Sequence, residues 1–306
     1  MFIRSETPEP TSQLDPDVYA ILSHTWSQDE VTFKDMTHLP TAERRAGFWK
    51  VRRCCEQARS DGFQWAWVDT CCIDKSSSAE LQEAINSMFE WYANAAHCYA
   101  YLPDVDIDAD ATADKAAFMN SRWFSRGWTL QELIAPKTLT FYGNGWSRLG
   151  PRTELSWLIA KRTGIPEGLL GADPISRDSR RQRSVDHYSI AQRMSWASGR
   201  QTTRIEDRAY SLLGLFGIAM PMLYGEGRRA FLRLQEEIVR TSRDLSILAW
   251  ERPSIPIDHI DSMGHDDDSL QSLLAPSPDF FSECGDIIFY ETKQALQSSI
   301  ERTVSS

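Results

Sequence analysis

Between Val18 and Gly143 the chain alternates strand-like and helix-like stretches, and this alternation constrains its fold more than any other feature. The run "VYAILSHTW" (Val18 to Trp26) is β-branched and aromatic and ends in polar residues, as a buried strand entering a loop does. "RRAGFWKVRRCCEQARSDGF" places Phe48, Val51, Cys55 and Ala58 at helical spacing, with Gly62 as the stop. "FQWAWVDTCCID" predicts a second strand over Gln64 to Thr70, with Asp69 at its carboxyl end. In "KSSSAELQEAINSMFEWYANAAHCYAYL", Ser77 and Glu80 form a capping-box pattern. Leu81, Ile85, Met88, Phe89, Tyr92 and Ala96 then trace one helix face, which reads as core packing. "HCYAYL" and "KTLTFYG" supply two further strands. Strand and helix in this order predict a parallel sheet with helices on both faces. In such sheets ligands bind beyond the carboxyl ends of the strands, so Ser23, His24, Asp69 and Cys71 are expected to share one rim.

After Trp146 the pattern turns helical, through "RTELSWLIAKRTGI", "DHYSIAQRMSWASGR", "TRIEDRAYSLLGLFGI" and "GRRAFLRLQEEIVRTS". A second capping box is expected from Thr203 and Glu206. The expected organisation is a flexible N-terminus (1–17), an α/β domain (18–150), a helical region packed on it (151–245) and a partly ordered tail (246–306). Within the tail, "SLLAPSPDFF" and "DIIFYE" are expected to dock as short segments. The acidic loop "PDVDIDADATAD" reads as solvent-exposed, and the basic run "RDSRRQR" (Arg177 to Arg183) as a solvated linker. A net charge of −10 argues against nucleic acid or an anionic membrane as partner, though it leaves room for a local basic pocket. No apolar run is long enough to span a membrane, and "MFIRSETPEPTSQLDPD" has no apolar segment of the signal-peptide kind. Cysteines 54, 55, 71, 72, 98 and 284 show no CxxC spacing and read as reduced thiols of a cytoplasmic protein that holds no metal.

One carboxylate stands in unusual company. In "SRWFSRGWTLQELIAPKTLTFYGNGW", Glu132 lies among Leu130, Leu133 and Ile134, just after Trp123 and Trp128. It reads as an exposed helix residue, as an ion-pair partner of Arg126, or as a charge set beside a pocket to do chemistry.

The blocks "YAILSHTW", "WVDTCCIDKSSSAELQEAINSMFEWYANAAHCYAYLPDV" and "WFSRGWTLQELIAPKTLTFYG" resemble the fungal heterokaryon-incompatibility (HET) domain over most of Tyr19 to Gly143. The later "QRMSWASGRQTTRIEDRAYSLLGLFGIAMPMLYGEGRRAFLRLQEEI" and "LLAPSPDFF" resemble segments that follow that domain. The resemblance implies a part in non-self recognition and regulated cell death after hyphal fusion. A more distant likeness is to the TIR fold, a flavodoxin-like parallel sheet whose members often cleave NAD between nicotinamide and ribose. "WTLQEL" is similar to the "WCLxEL" helix of plant TIR domains, and Glu132 stands where their catalytic glutamate does, with Thr129 replacing the cysteine.

What the likeness implies is a candidate NAD nucleosidase with no cofactor of its own. Its catalytic residue would be Glu132, and its substrate contacts Ser23, His24, Trp26, Asp69, Cys71, Lys75, Arg126 and Trp128. Nicotinamide leaves as a neutral molecule, so the bond needs stabilisation of the ribose cation more than it needs an acid. Three other readings stand beside this one. The chain is a self-associating module that kills by assembly with an incompatibility partner, or a nucleotide sensor, or a hydrolase using Cys71 with His24 as base.

Overall fold

Among the described residues seven strands form one sheet, and the sequence of each explains its place. The computed structural model describes residues 2–5, 10–11, 18–106, 114–171, 185–251 and 273–288. The strands are β1 (Phe2–Arg4), β2 (Pro10–Thr11), β3 (Ala20–His24), β4 (Trp65–Trp67), β5 (His97–Tyr101), β6 (Leu139–Tyr142) and β7 (Arg148–Pro151), in the order β2-β1-β4-β3-β5-β6-β7. The four central strands are parallel, and β3, β4 and β6 are buried along their whole length, as strands covered on both faces must be. The expectation of a purely parallel sheet is corrected at both edges. β1 runs antiparallel beside β4, β2 antiparallel beside β1, and β7 antiparallel beside β6. So the N-terminal segment read as flexible contributes two short strands, with Phe2 and Ile3 buried. A hairpin partner needs only a short connection, and three or four residues leave too little periodicity to read in a sequence.

The helices before and between these strands are α1 (Phe33–Met36), α2 (Leu39–Ala42), α3 (Phe48–Ser60), α4 (Asp69–Cys72), α5 (Ser78–Asn94), α6 (Lys115–Asn120) and α7 (Thr129–Ile134). The strand order reverses at β3, so crossovers of the usual right hand put α3 on one face of the sheet and α5 and α7 on the other. Asp69 begins a helical turn and does not end the strand, which stops at Trp67. The Ser77 cap of α5 forms, but Glu80 does not return to it; its Oε1 accepts from the Asp74 amide at 2.9 Å. The second expected capping box is absent. Glu206 Oε1 instead accepts from the Gly225 and Gly227 amides at 2.8 and 3.1 Å, pinning the "YGEG" turn.

The helical region runs through Ser156–Thr163, Ile190–Ser195, Asp207–Tyr210, Leu213–Phe216 and Arg229–Thr241. It is joined to the sheet region by specific contacts. Gly214 lies so close to α5 that a Cβ there would fall 2.1 Å from Phe89 Cβ. Asn86 accepts from the Met220 amide at 3.2 Å, and Gln201 exchanges backbone bonds with Ser125 and Gly127 at 2.7 and 2.8 Å. "APSPDFF" docks as expected, with Phe280 and Phe281 buried and Ala275 held at both backbone groups by Gln235. The basic run 177–183, most of the acidic loop (107–113) and the end of "DIIFYE" lie outside the described residues. Among the described residues no helix is long and apolar enough to cross a membrane.

Candidate functional site

Glu132 sits in α7, a six-residue helix in which every side chain is buried. Such a helix has few means to satisfy its own ends, and neighbours do it instead. Thr129 donates to Trp123 O at 2.6 Å and accepts from Arg200 Nη1 at 3.1 Å. At the other end Arg152 Nη1 donates to Leu133 O at 2.5 Å. These bonds fix Glu132 against the end of β3, where Ser23 Oγ donates to its Oε2 at 2.5 Å and itself accepts from Trp123 Nε1 at 2.9 Å.

Successive strand residues face opposite sides, so His24 turns away from Ser23 toward α3. Lys50 of α3 donates to His24 Nδ1 at 3.0 Å and also pairs with Glu30. An ammonium group can only donate, so Nδ1 is the acceptor and the ring proton sits on Nε2. Nε2 then donates to Asp69 Oδ1 at 3.1 Å, while Trp26 Nε1 donates to Oδ2 at 2.9 Å. Glu30, Lys50, His24, Asp69 and Trp26 thus form one chain of bonds from α3 to the rim.

Above Glu132 opens a cleft of about 300 Å3 at the carboxyl ends of the parallel strands. It lies where the strand order reverses, the place at which open α/β sheets bind ligands. Seven of the nine residues expected at the site line it: His24, Trp26, Asp69, Lys75, Arg126, Trp128 and Glu132. Ser23 lies beneath, fully buried and bonded to Glu132. Cys71 departs from expectation. It is fully buried and does not line the cleft, because α4 turns its side chain back so that Sγ reaches Val68 O. A bond with Cys72 and burial push its thiol well above the ordinary range. Both His24 ring nitrogens are already engaged, so a Cys71–His24 nucleophile pair has no geometric basis.

The three readings of Glu132 separate here. It is 7 % exposed, and no ion pair among the described residues includes it. Burial and the neighbouring Asp69 charge raise its pKa from 4.5 to about 8, against the Ser23 bond and the charges of Arg126 and Arg200. Asp69 behaves in the opposite way. Burial opposes its ionisation, but the His24 bond, the Lys75 charge and the Trp26 bond outweigh it and hold the pKa at about 2. Of these two carboxyls, Asp69 stays ionised and Glu132 carries a proton at neutral pH, the kind of divergence that catalytic pairs show.

The sequence reading missed a whole wall. Thr203, Arg204, Asp207 and Tyr224 come from the helical region, and Leu81, Ile85 and Met88 of α5 face the cleft as well as the core. Tyr224 donates to Asp207 Oδ1 at 2.9 Å, and the Arg204 guanidinium lies 4.3 Å from the Tyr224 ring centre. Only folding brings these residues, 71 to 92 positions beyond Glu132, to the site, although the apolar-to-charged change in "TTRIEDRAY" marks a helix start. The Lys75 ammonium sits 3.7 Å from the centre of the Trp26 ring, which marks that ring face as a seat for a cation. The lining combines the cationic Lys75, Arg126 and Arg204 with the carboxyl groups of Asp69, Asp207 and the protonated Glu132. Such a lining suits a ligand that itself carries both signs.

Comparison with known proteins bears on this geometry. The profile of the family described as "Heterokaryon incompatibility protein (HET)" matches residues 19–116, which include β3 to β5. A domain of unknown function (DUF8212) matches residues 229–305. The chain is similar to the vegetative incompatibility protein HET-E-1 of Podospora anserina, with 48 % identity over 243 residues, or 77 % of this chain. The match spans 17 % of the length of that relative. No solved structure matches the chain.

Proposed function

The chain belongs to the heterokaryon-incompatibility (HET) family, and from that premise we propose that it is an effector of vegetative incompatibility that hydrolyses NAD at the nicotinamide–ribose bond. The observation that carries this reading is the position of Glu132, buried on the floor of a mixed-charge cleft and hydrogen-bonded to Ser23. Two features support the TIR-like likeness of its helix. In chain order the parallel strands run 2-1-3-4 across the sheet, as in flavodoxin-like folds, and the "WTLQEL" helix borders the crevice at the reversal.

The chemistry follows from charge. A cleft of about 300 Å3 is at the small end for ligand sites and holds the nicotinamide riboside half, with the ring near the Trp26 face where Lys75 now rests. Arg126 and Arg204 then face the phosphates leaving the cleft. A pyridinium beside Glu132 favours the ionised carboxylate, so the cation displaces the resting proton. As the C1′–N bond breaks, its electron pair leaves with nicotinamide and positive charge grows on the ribose. Glu132, in low-dielectric surroundings, stabilises that charge more in the transition state than in the ground state. Water then adds at C1′, and nicotinamide, ADP-ribose and a proton result.

The test is to incubate the full chain at high concentration with NAD and resolve the products by chromatography. Wild type is expected to release nicotinamide and ADP-ribose, and Glu132→Gln to do so at least about 100-fold more slowly. Equal silence of both proteins, with both still killing cells, would replace this reading with killing by assembly.

A further inference from the structure

A small pocket of about 70 Å3 opens between Phe124, the end of the helix Ser156–Thr163 and the turn at 196–200. It shares no lining residue with the cleft. Its volume is that of about two waters, or of one small polyatomic ion. The charged residues of its wall are Arg162 and Arg200, and the wall holds no carboxylate. Two guanidinium groups facing one small pocket repel each other, and nothing in its lining offsets them.

Neither guanidinium has a counter-ion among the described residues. Arg162 is exposed, and its one hydrogen bond there runs from Nε to Met119 O at 2.8 Å. Arg200 is 5 % exposed. Its Nε donates to Trp196 O at 3.0 Å, and Nη1 to Arg126 O and Thr129 Oγ1 at 2.9 and 3.1 Å, while Nη2 is buried with no hydrogen-bond partner. Burial first, and then the Arg162 charge, pull the pKa of Arg200 below the usual guanidinium range. A buried donor without an acceptor is costly, and a like charge beside it adds to that cost; an anion between the two groups offsets both. Asp279 does not play that part. It lies outside the lining, accepts from the Gly199 amide at 2.8 Å and turns both oxygens to Arg208 Nη2, 2.7 Å from each.

We propose that this pocket binds one phosphate group, held between Arg162 and the unused Nη2 of Arg200. Guanidinium groups present N–H donors in a planar fork that fits a tetrahedral oxyanion, and the Ser198 hydroxyl in the wall adds a further donor. The volume admits the phosphate and excludes a nucleoside. The group is therefore either the free ion or the phosphate end of a larger ligand whose remainder stays outside. Arg200 also ties the pocket to the cleft, because the same guanidinium braces the start of α7 at Thr129, three residues before Glu132. Occupancy of the pocket then acts on α7 from outside the cleft; that consequence, unlike the binding, rests on the reading of the cleft given above.

Calorimetric titration of the full chain with inorganic phosphate, in a buffer free of phosphate, tests the proposal. Wild type is expected to bind saturably with unit stoichiometry, and more weakly as salt rises. Arg162→Gln should weaken binding about tenfold, and Ser198→Asp, which sets a carboxylate in the wall, at least as much. Arg240→Gln, which removes an exposed guanidinium outside the pocket, should bind as wild type does. Melting curves without phosphate show that each variant is folded. Absence of saturable binding at millimolar phosphate would leave the pocket to water and overturn the proposal. So would equal binding by wild type, Arg162→Gln and Ser198→Asp, or the same loss in Arg240→Gln. Phosphoserine that binds at least as tightly as phosphate identifies a phosphate group on a larger ligand, and weaker binding identifies the free ion. None of these titrations uses NAD, so this site and the proposed NAD cleavage fail separately.

Discussion

Glu132 is a buried acid whose proton is part of the fold. Its pKa is raised above the unfolded value, so the stability it contributes is complete below about pH 4.5 and is lost as pH rises through about 8. Glu132→Gln keeps the shape without the titration. Its melting temperature is therefore expected to gain on that of wild type across that window, in thermal scans from pH 4.5 to 9, and a constant difference would contradict the assignment. Asp69 supplies part of the upward pressure, so Asp69→Asn should lower the apparent pKa of Glu132, read from the same scans. Much at this scale was legible beforehand. A lone carboxylate among leucines and tryptophans, and polar residues at predicted strand ends, pointed to Glu132, His24 and Asp69, and the TIR likeness added Trp26, Lys75, Arg126 and Trp128. Two signals were hidden. The pairing of Ser23 with Glu132 spans 109 positions, and Lys50, which sets the His24 tautomer, sits in a helix whose pattern shows only its apolar face.

Secondary-structure elements position these residues by being short and heavily buried. The four parallel strands and α3 and α5 were legible because hydrophobic period and capping agree there. The edge strands and the break of "TRIEDRAYSLLGLFGI" into two short helices at Ser211–Leu212 were not, nor were the roles of Gly214 and Gly217, which act through space and backbone conformation. Gly217 ends its helix at φ 64, and Gly214 is required by the approach of Phe89. Gly214→Ala is expected to destabilise the protein by about 2–3 kcal/mol in denaturant melts, as overpacking does. Lys50→Met removes the donor shared by His24 and Glu30 and should cost about 3 kcal/mol, with loss of activity. A variant as stable as wild type would show that the chain of bonds from Glu30 to Asp69 contributes nothing to stability.

At the scale of the whole molecule, the helical region completes the cleft as well as the core. Thr203, Arg204, Asp207 and Tyr224 face Glu132 across a boundary that sequence reading placed near residue 151. Residues 1–151 alone should therefore lose both one wall of the cleft and the cover over Phe89, and precipitate or melt without cooperativity. The full chain should unfold in one transition. The 243-residue match to the longer relative exceeds the 150 residues that end the α/β region, so it extends into the helical one.

The central claim is that Glu132 must ionise to cleave the glycosidic bond. Its most direct test is the pH dependence of kcat/KM for nicotinamide release by concentrated full-length chain, which reports the free protein. The account predicts a rise between about pH 6.5 and 8.5 with an apparent pKa near 8, absent from any residual activity of Glu132→Gln. A flat profile through that range, or the same profile in the glutamine variant, would contradict it.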